Sequence, residues 1–471
     1  MATTAVSRAR RFMVFDNPKD HKEEHEASDN GLRYQVREGA LCSVMSGGGE
    51  TYLSAFALLL HANPFQIALL AALPQIVGTG SQLLSVKVLQ RRKARKPLIL
   101  IGAAGQAIAW LPLFILPMLF PTQAAWLLLT AAMFYFAMGH FTAPAWNSLI
   151  TDLVEADRRG TYFAWRTKVA ALASFLALAG AGLVLSVSEN WKNPALGFGI
   201  IFFIAAVARS LSTRYLARMK EPPLPESREP ELGVREFLQH ERSGMFRRFL
   251  VFSGCFHVAT MISGPFFVVY LLRDLHLTYL RYCLWLSAPI VAQLVSLQEW
   301  GRIADKFGNK KVLVVTGLAI PVIPMLYLVS TDWPVLVAIN FLSGILWPGF
   351  SLSLQNYVFD VVPAPDRAKG VAIYNGVNAA GAAAGAMLGS WLAAVAQPEI
   401  LLFGFTLPLV SNLPVVFFTS GALRLVVSLT LLKSFKEGRT VTPISHRQLV
   451  HELPLIRPLT TVLGLRASRM R

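Results

Sequence analysis

The chain has 471 residues, of which 54% are hydrophobic and 15% are charged, with 44 Lys and Arg against 27 Asp and Glu. Soluble domains carry about 25% charged residues, so this composition excludes an ordinary water-soluble protein. Uncharged blocks such as 98–120 approach the ~20 apolar residues that a helix needs to cross a bilayer. We therefore expect an integral, polytopic membrane protein.

Polar and apolar segments divide the first half of the chain. Residues 1–39 lack the apolar centre of a signal peptide and are predicted to form a cytosolic N-terminal extension. Residues 40–217 then form an N-terminal bundle of six predicted spans, near 40–62, 65–86, 98–119, 123–147, 169–187 and 196–217. A polar segment, 218–248, is predicted to be a cytosolic linker with a short amphipathic helix near 231–242.

The second half repeats this pattern. Residues 249–432 form a C-terminal bundle with spans near 249–272, 280–300, 312–330, 334–358, 370–393 and 408–432, followed by a basic tail, 433–471. All but three of the 44 Lys and Arg fall on the side of both termini or at its helix ends. The positive-inside rule therefore predicts cytosolic termini. Because these charges are spread over seven segments, we do not expect nucleic-acid binding.

The two halves resemble each other in sequence. An offset of 215 residues aligns their first two spans and pairs Gly49 with Gly264, His61 with His276, and Pro74 with Pro289. Internal repeats of this kind are typical of secondary transporters, whose substrate sites lie between the repeats near the bilayer midplane. The pattern predicts an all-α fold of twelve transmembrane helices in two pseudo-symmetric six-helix bundles.

The loop between the eighth and ninth spans reads "GRIADKFGNKK", 301–311. Gly308 is predicted to permit a tight turn and Gly301 a close helix contact. Asp305 is predicted to cap or face a helix N-terminus, where a negative charge is stabilised. The basic residues expected to hold this loop in the cytosol are Lys306, Lys310 and Lys311.

This motif resembles the cytoplasmic signature of the major facilitator superfamily, G-x-x-x-D-[RK]-x-G-x-[RK]-[RK]. With the twelve spans and the basic central loop, the resemblance covers about residues 40–432. It implies a secondary transporter of a bacterial inner membrane in which the loop latches one conformation. The first-half counterpart, 86–96, departs from the signature, with Val86 in place of the glycine and Gln90 in place of the aspartate.

Span 1 carries "SGGGE", 46–50, near its centre. The glycines are predicted to allow close helix approach and bending. A charged group at the bilayer centre costs about 2.5–3.5 kcal/mol, so it usually faces a cavity and serves a function. Glu50 is therefore predicted to couple protons or contact substrate, although a structural acid paired with a buried cation or backbone donor remains an alternative. The repeat places Pro265 at the equivalent position, so the bend is expected in both halves and the acid in one.

Other polar residues inside spans are further candidates. His257 in span 7 is predicted either to relay protons or contact substrate, or to be a hydrogen-bonded structural residue. Neutral side chains that could line a cavity or join helices are Gln75, Gln106, Asn147, Gln293, Asn356, Asn375 and Asn378. Candidates for gate salt bridges are Asp152, Arg158, Arg166, Glu299 and Arg367. Arg424 in span 12 could be a substrate counter-charge, but we favour snorkelling to the cytosol.

The sequence contains no Walker A loop, metal-ligand spacing or nucleophile elbow. We therefore expect no enzyme activity, cofactor or bound metal. The predicted function is secondary active transport of a small molecule by alternating access, coupled to protons, by a monomer in a lipid bilayer. Two alternatives remain open: proton-driven efflux of amphipathic drugs or metabolites, and a non-transporting membrane sensor or assembly factor.

Overall fold

A computed structural model describes residues 18–92, 94–153, 159–219, 221, 244–363, 366–402, 405–439 and 441. In these ranges eleven helices are long and apolar enough to cross a membrane, and span 1, which is divided, is the twelfth. The first six spans are Pro18–Gly48 continued by Leu53–Leu59, Pro64–Arg92, Lys96–Leu119, Ala124–Leu153, Arg159–Asn190 and Pro194–Arg218.

The second half has the same order of spans. Span 7 is Gly244–Ser263 continued by Phe267–Val269, and span 9 is Asn309–Ala319 continued by Val322–Leu326. Spans 8, 10, 11 and 12 are Tyr279–Phe307, Trp333–Val361, Arg367–Val395 and Leu413–Leu431. The interruption of span 9 falls at Ile320 and Pro321. Pro321 and, one turn later, Pro324 have no backbone N–H for a helical hydrogen bond.

Some features differ from the expectations. A continuous helix, Pro18–Gly48, runs across residue 39, where the N-terminal extension was predicted to end. A two-stranded antiparallel hairpin, β1 (Glu399–Leu402) and β2 (Phe405–Pro408), connects spans 11 and 12, where no strand was expected. The hairpin pairs the backbone hydrogen-bonding groups of this connection with one another. The predicted amphipathic helix at 231–242 lies outside the described residues.

Spans 1 and 7 are broken at equivalent positions. The regular helix of span 1 ends at Gly48 and gives way to a 3-10 turn, Glu50–Tyr52. In span 7 the 3-10 turn is Gly264–Phe266. Further along, His61 and His276 both adopt positive φ angles, of 56° and 50°. Each half therefore interrupts its first span at the place where the bend was predicted.

The halves meet through span 2 against span 11 and span 5 against span 8. We call the end of the bundle that carries 301–311 the motif side and the opposite end the far side. Two hydrogen bonds between described residues join the halves. The Tyr279 N–H donates to Glu189 Oε2 at 3.1 Å, and Cys283 Sγ donates to the Leu178 carbonyl at 3.7 Å. Both lie towards the far side, so the halves are in contact there.

Candidate functional site

Glu50 lies at the break of span 1, where its half-buried side chain meets span 4. The Tyr135 hydroxyl donates a hydrogen bond to Glu50 Oε2 at 2.7 Å. No Lys, Arg or His in the described part of the chain forms an ion pair with Glu50. The structural-acid alternative expected a buried cation or a backbone donor, whereas the described partner of Glu50 is a neutral hydroxyl that can remain bonded when the carboxyl takes a proton. The role of Glu50 stays a prediction.

The glycines of "SGGGE" allow span 1 to pack closely against its neighbours at the break. A Cβ atom at Gly47 would lie 2.2 Å from the Ser174 carbonyl of span 5. A Cβ atom at Gly49 would lie 2.9 Å both from Ala205 of span 6 and from the Trp110 ring of span 3. Span 1 therefore packs closely against three helices at once, and the predicted close approach is confirmed.

An aromatic cluster lies beside Glu50. The Trp110 ring is 5.0 Å from that of Tyr135 and 5.4 Å from that of Phe202. Phe56, one turn beyond the break, lies 4.9 Å from Phe202. Because these rings belong to spans 1, 3, 4 and 6, they shield the Glu50–Tyr135 pair with apolar surface from four helices. Edge-to-face contacts of this kind add about 0.5–1.5 kcal/mol per pair beyond area burial.

A buried charge cluster lies closer to the motif side, and the sequence reasoning missed two of its members. Glu38 and Arg209 are each 3% exposed, and their charged groups are 3.5 Å apart. Arg166 of span 5 pairs with the other oxygen of Glu38 at 3.3 Å. Ser212 donates to Glu38 and accepts from Arg209. Glu38 was assigned to the extension, yet its spacing to Cys42 places both on one helical face and could have revealed it.

Two of the remaining gate candidates have partners close to them in the sequence. Glu299 pairs with Arg302 at 3.1 Å, one turn along the same helix. Arg367 donates to the Phe359 carbonyl at 3.4 Å. Arg158 and the side chain of Asp152 lie outside the described residues. A gate role for these residues stays a prediction.

Arg424 does not snorkel, and that prediction is wrong. Its side chain is 3% exposed and donates to the Thr260 carbonyl at 3.2 Å and to Ser263 Oγ at 2.7 Å. Both acceptors lie where the regular helix of span 7 ends. The last carbonyls of a helix lack internal donors and carry partial negative charge. A buried cation on span 12 therefore caps the broken end of span 7.

Among the other candidates, Asn378 and Gln106 join helices. Asn378 of span 11 is buried and accepts a hydrogen bond from Ser253 of span 7 at 2.7 Å. The carbonyl of Ser253 lies 3.1 Å from His257 Nδ1. The Gln106 side chain of span 3 is buried against Gly139 of span 4. His257, Gln75 and Asn356 are half-buried, and Asn147 and Asn375 are exposed.

Gln293 lines a cavity of about 270 Å³ between spans 8 and 10. Its polar neighbours there are Asn340, Ser343 and Ser351, and Trp347 supplies an aromatic wall. Gln293, which the sequence suggested as a polar residue inside a span, thus lines a cavity together with other hydrogen-bonding groups. Glu50 and Gln293 belong to different halves.

The turn of the motif 301–311 is confirmed. Gly308 has φ +96°, a left-handed conformation that favours glycine. Beside it the Glu437 carboxylate accepts a hydrogen bond from the Lys310 N–H at 2.9 Å and so caps the start of span 9. Glu221 does the same in the first half, where it accepts from the Arg95 N–H at 2.6 Å. The sequence reasoning missed these caps, although "KE" follows both span 6 and span 12.

The expectations for Gly301 and Asp305 in this motif are not met, whereas the role of the lysines stays a prediction. A Cβ atom at Gly301 would meet Leu352 at 3.9 Å, which is ordinary contact, so no close approach requires this glycine. Asp305 is 81% exposed and lies 3.9 Å from Arg439 rather than at a helix N-terminus. Among the lysines, Lys306 lies over the Phe307 ring, Lys310 bonds the Leu432 carbonyl and lies over Phe435, and Lys311 is half-buried.

The sequence profile described as Major Facilitator Superfamily matches residues 39–262 and 249–463, one match for each half. The chain belongs to the major facilitator superfamily. It is 26% identical over 285 residues to "Multidrug resistance protein MdtG" of Proteus mirabilis (strain HI4320), covering 59% of this chain and 66% of that protein. The match thus spans slightly less than two thirds of that relative.

Solved structures of superfamily transporters share the fold. A mutant of the nucleoside transporter NupG has a TM-score of 0.65 at 13% identity, and the match covers 86% of this chain and 100% of that one. The D-xylose-proton symporter has a TM-score of 0.64 at 14% identity, covering 88% and 99%. A bacterial homologue of the iron transporter ferroportin, in an inward-facing state, has a TM-score of 0.65 at 14% identity, covering 87% and 98%.

Both halves place polar groups inside their spans. The first half holds Glu50 and the ion pair of Glu38 with Arg209. The second half holds Arg424 and the cavity that Gln293 lines.

Proposed function

We propose that this superfamily member is a secondary active transporter that moves a small molecule by alternating access and couples this movement to protons. The observation that carries the proposal is the Glu50–Tyr135 pair at the break of span 1, without a cation partner among the described residues. A carboxylate charge is costly to hold away from water, and a bound proton removes that cost. Glu50 is therefore the group best suited to bind and release a proton.

Two features support alternating access. Spans 1 and 7 break at equivalent positions, which supplies one flexible point in each half. Among the described residues, hydrogen bonds of Tyr279 and Cys283 join the halves towards the far side. We place the motif side in the bacterial cytosol, because all but three of the Lys and Arg lie on that side or at its helix ends.

The test uses purified protein in proteoliposomes. Counterflow with a panel of metabolites and amphipathic drugs identifies an exchanged compound, which is then offered under an imposed pH gradient. We expect uphill accumulation by the native protein, and in Glu50→Gln we expect counterflow without accumulation. Glu399→Gln, an exposed acid between spans 11 and 12, is the matched control. Undiminished accumulation by Glu50→Gln would remove Glu50 from the mechanism.

Proton-driven efflux of amphipathic compounds is the second candidate. It is favoured by the relative named as a multidrug resistance protein and by the aromatic cluster beside Glu50. Cells that express this chain should then hold less ethidium than control cells, and a protonophore should abolish the difference. Equal ethidium levels in both cell lines would count against this candidate.

The alternative from another class is a membrane sensor or assembly factor that retains the fold without transport. The first-half loop 86–96, which departs from the family signature, is compatible with it. Reproducible counterflow of any compound in the panel excludes this alternative, because exchange requires a working transport cycle.

A further inference from the structure

The cavity between spans 8 and 10 is formed by two prolines. Pro289 has no N–H, so the carbonyl of Trp285, four residues earlier, has no helical donor. The Asn340 amide of span 10 donates to that carbonyl at 2.8 Å. Each helix interrupted by proline thus depends on side chains of its neighbour.

The relationship is reciprocal. Pro348 in span 10 removes the helical donor of the Gly344 carbonyl, and Ser296 of span 8 donates to it at 3.4 Å. Trp300 of span 8 donates to the next carbonyl, that of Ile345, at 2.7 Å. These bonds hold the two proline-containing helices against each other in a defined geometry beside the cavity.

The lining of the cavity is polar but uncharged. Gln293 and Ser343 form no hydrogen bond with any described residue, and the Asn340 amide uses only its nitrogen. No Asp, Glu, Lys, Arg or His among the described residues lines the cavity. A charged ligand group would be desolvated there without a counter-charge, which is costly. The cavity therefore suits a neutral ligand that both donates and accepts hydrogen bonds.

One lining residue of the cavity contacts span 7. Trp347 lies 6.3 Å from the Phe256 ring of span 7, and Phe256 lies 4.4 Å from Phe350. Span 7 is one of the two helices that are interrupted by a 3-10 turn, so the aromatic wall of the cavity contacts one of the interrupted helices.

The first half has no matching open space at the equivalent point among its described residues. The offset of 215 residues that relates the halves places Gly78 of span 2 where Gln293 stands. There the His140 ring of span 4 fills the space, because a Cβ atom at Gly78 would lie 2.7 Å from His140 Cδ2. The cavity is therefore a specific feature of the second half rather than a necessary result of the repeat.

We propose that the cavity formed by Gln293, Asn340, Ser343, Trp347 and Ser351 binds the uncharged, hydroxylated ring of the transported solute. Ring hydroxyl groups can donate to and accept from the amides and serines, and the apolar face of the ring can pack on the indole. Sites for drug-sized molecules measure about 300–1,000 Å³, so about 270 Å³ suits a single ring. A free sugar and the ribose of a nucleoside share this chemistry. The inference rests on the proposed transport function.

The test measures binding to the purified full-length protein. D-Glucose, D-xylose and uridine serve as probes, with thermal stabilisation and equilibrium dialysis as readouts. We expect at least one probe to bind, and we expect Gln293→Leu and Ser343→Ala each to weaken binding about tenfold or more, since each removes a hydrogen-bonding group that lines the cavity. Sugar binding identifies a free sugar as the source of the ring, and uridine binding without sugar binding identifies a nucleoside.

Gln298→Leu is the matched control, because Gln298 is an exposed residue of span 8 that does not line the cavity. It should leave affinity unchanged. All variants are first checked for the native melting temperature, and Gln293→Asn and Ser343→Thr replace any that is destabilised. Failure of all three probes to bind, or equal loss of affinity in Gln298→Leu and Gln293→Leu, would overturn the proposal.

The experiments distinguish failure of the cavity assignment from failure of the proposed proton-coupled transport. If a probe binds through Gln293 but is never accumulated under a pH gradient, the cavity assignment stands and proton-coupled transport falls. If an amphipathic cation is accumulated through Glu50 with no effect of Gln293→Leu or Ser343→Ala, transport stands and the cavity assignment falls.

Discussion

Arg209 and Arg424 stand 215 residues apart at equivalent places in the two halves, and only Arg209 meets a carboxylate among the described residues. Both side chains are 3% exposed. Arg209 lies 3.5 Å from Glu38, whereas Arg424 donates to the broken end of span 7 through Thr260 and Ser263. The repeat has kept the buried cation in both halves and has changed the group that stabilises it.

Glu38→Gln should strongly destabilise the first half. The substitution leaves the guanidinium groups of Arg209 and Arg166 close together without a counter-charge. Loss of one partner of a buried ion pair costs about 3–5 kcal/mol. The expected result is a clearly lower melting temperature of the purified protein. An unchanged melting temperature, with Glu399→Gln as the exposed control, would contradict the role given to this cluster.

Tyr135→Phe should weaken proton coupling without abolishing folding. The change removes only the hydroxyl that donates to Glu50, at a cost of about 1.5–3 kcal/mol for a hydrogen bond to a charged group. Accumulation driven by a pH gradient should fall while counterflow persists. Tyr215→Phe removes a hydroxyl from span 6 at a point remote from Glu50 and should have no such effect. Equal accumulation by the two variants would show that the Tyr135 hydroxyl is not needed.

Cys283 should report the opening of the far side. Its thiol is buried between spans 5 and 8, where it donates to the Leu178 carbonyl. In a Cys42→Ser, Cys255→Ser background, a membrane-impermeant maleimide should label Cys283 slowly in the closed state. Glu189→Gln should speed labelling about tenfold or more, because it weakens a charge-assisted bond between the halves.

The control for this labelling experiment is Glu399→Gln, which also lies on the far side but takes no part in the contact between spans 5 and 8. In this control variant the maleimide should label Cys283 at the same rate as without the Glu399→Gln change. If Glu189→Gln labels no faster than this control, the Glu189–Tyr279 bond does not hold the far side closed.

Glu437→Gln should cost more stability than Asp305→Asn, although only Asp305 belongs to the family signature. Glu437 accepts the Lys310 N–H at the start of span 9, and loss of a helix cap costs about 0.5–2 kcal/mol. Asp305 is mostly exposed and 3.9 Å from Arg439, and exposed ion pairs contribute about 0–1 kcal/mol. Thermal unfolding compares the two. A larger loss in Asp305→Asn would reverse this ranking.

The spans and the break in span 1 could be predicted because their causes are local. Hydropathy indicates which segments are apolar and long enough to cross the bilayer. The three glycines before Glu50 indicate a helix that can approach its neighbours closely and bend. The partners of Glu50 could not be predicted in this way. Tyr135 is 85 residues away, and nothing in its own surroundings in the sequence sets it apart from other tyrosines in apolar spans.

The sequence by itself determined the membrane class, the number of spans, their repeat and the tight turn at Gly308, since each depends on neighbouring residues or on a fixed offset. Only the tertiary structure decided which polar groups meet. It paired Arg166 with Glu38, turned Arg424 inwards, and left Gln293 in an open cavity while His140 filled the matching place. The physical reason is that, with little water in the membrane interior, buried polar groups must find partners on other helices, and helix packing decides which partners are within reach.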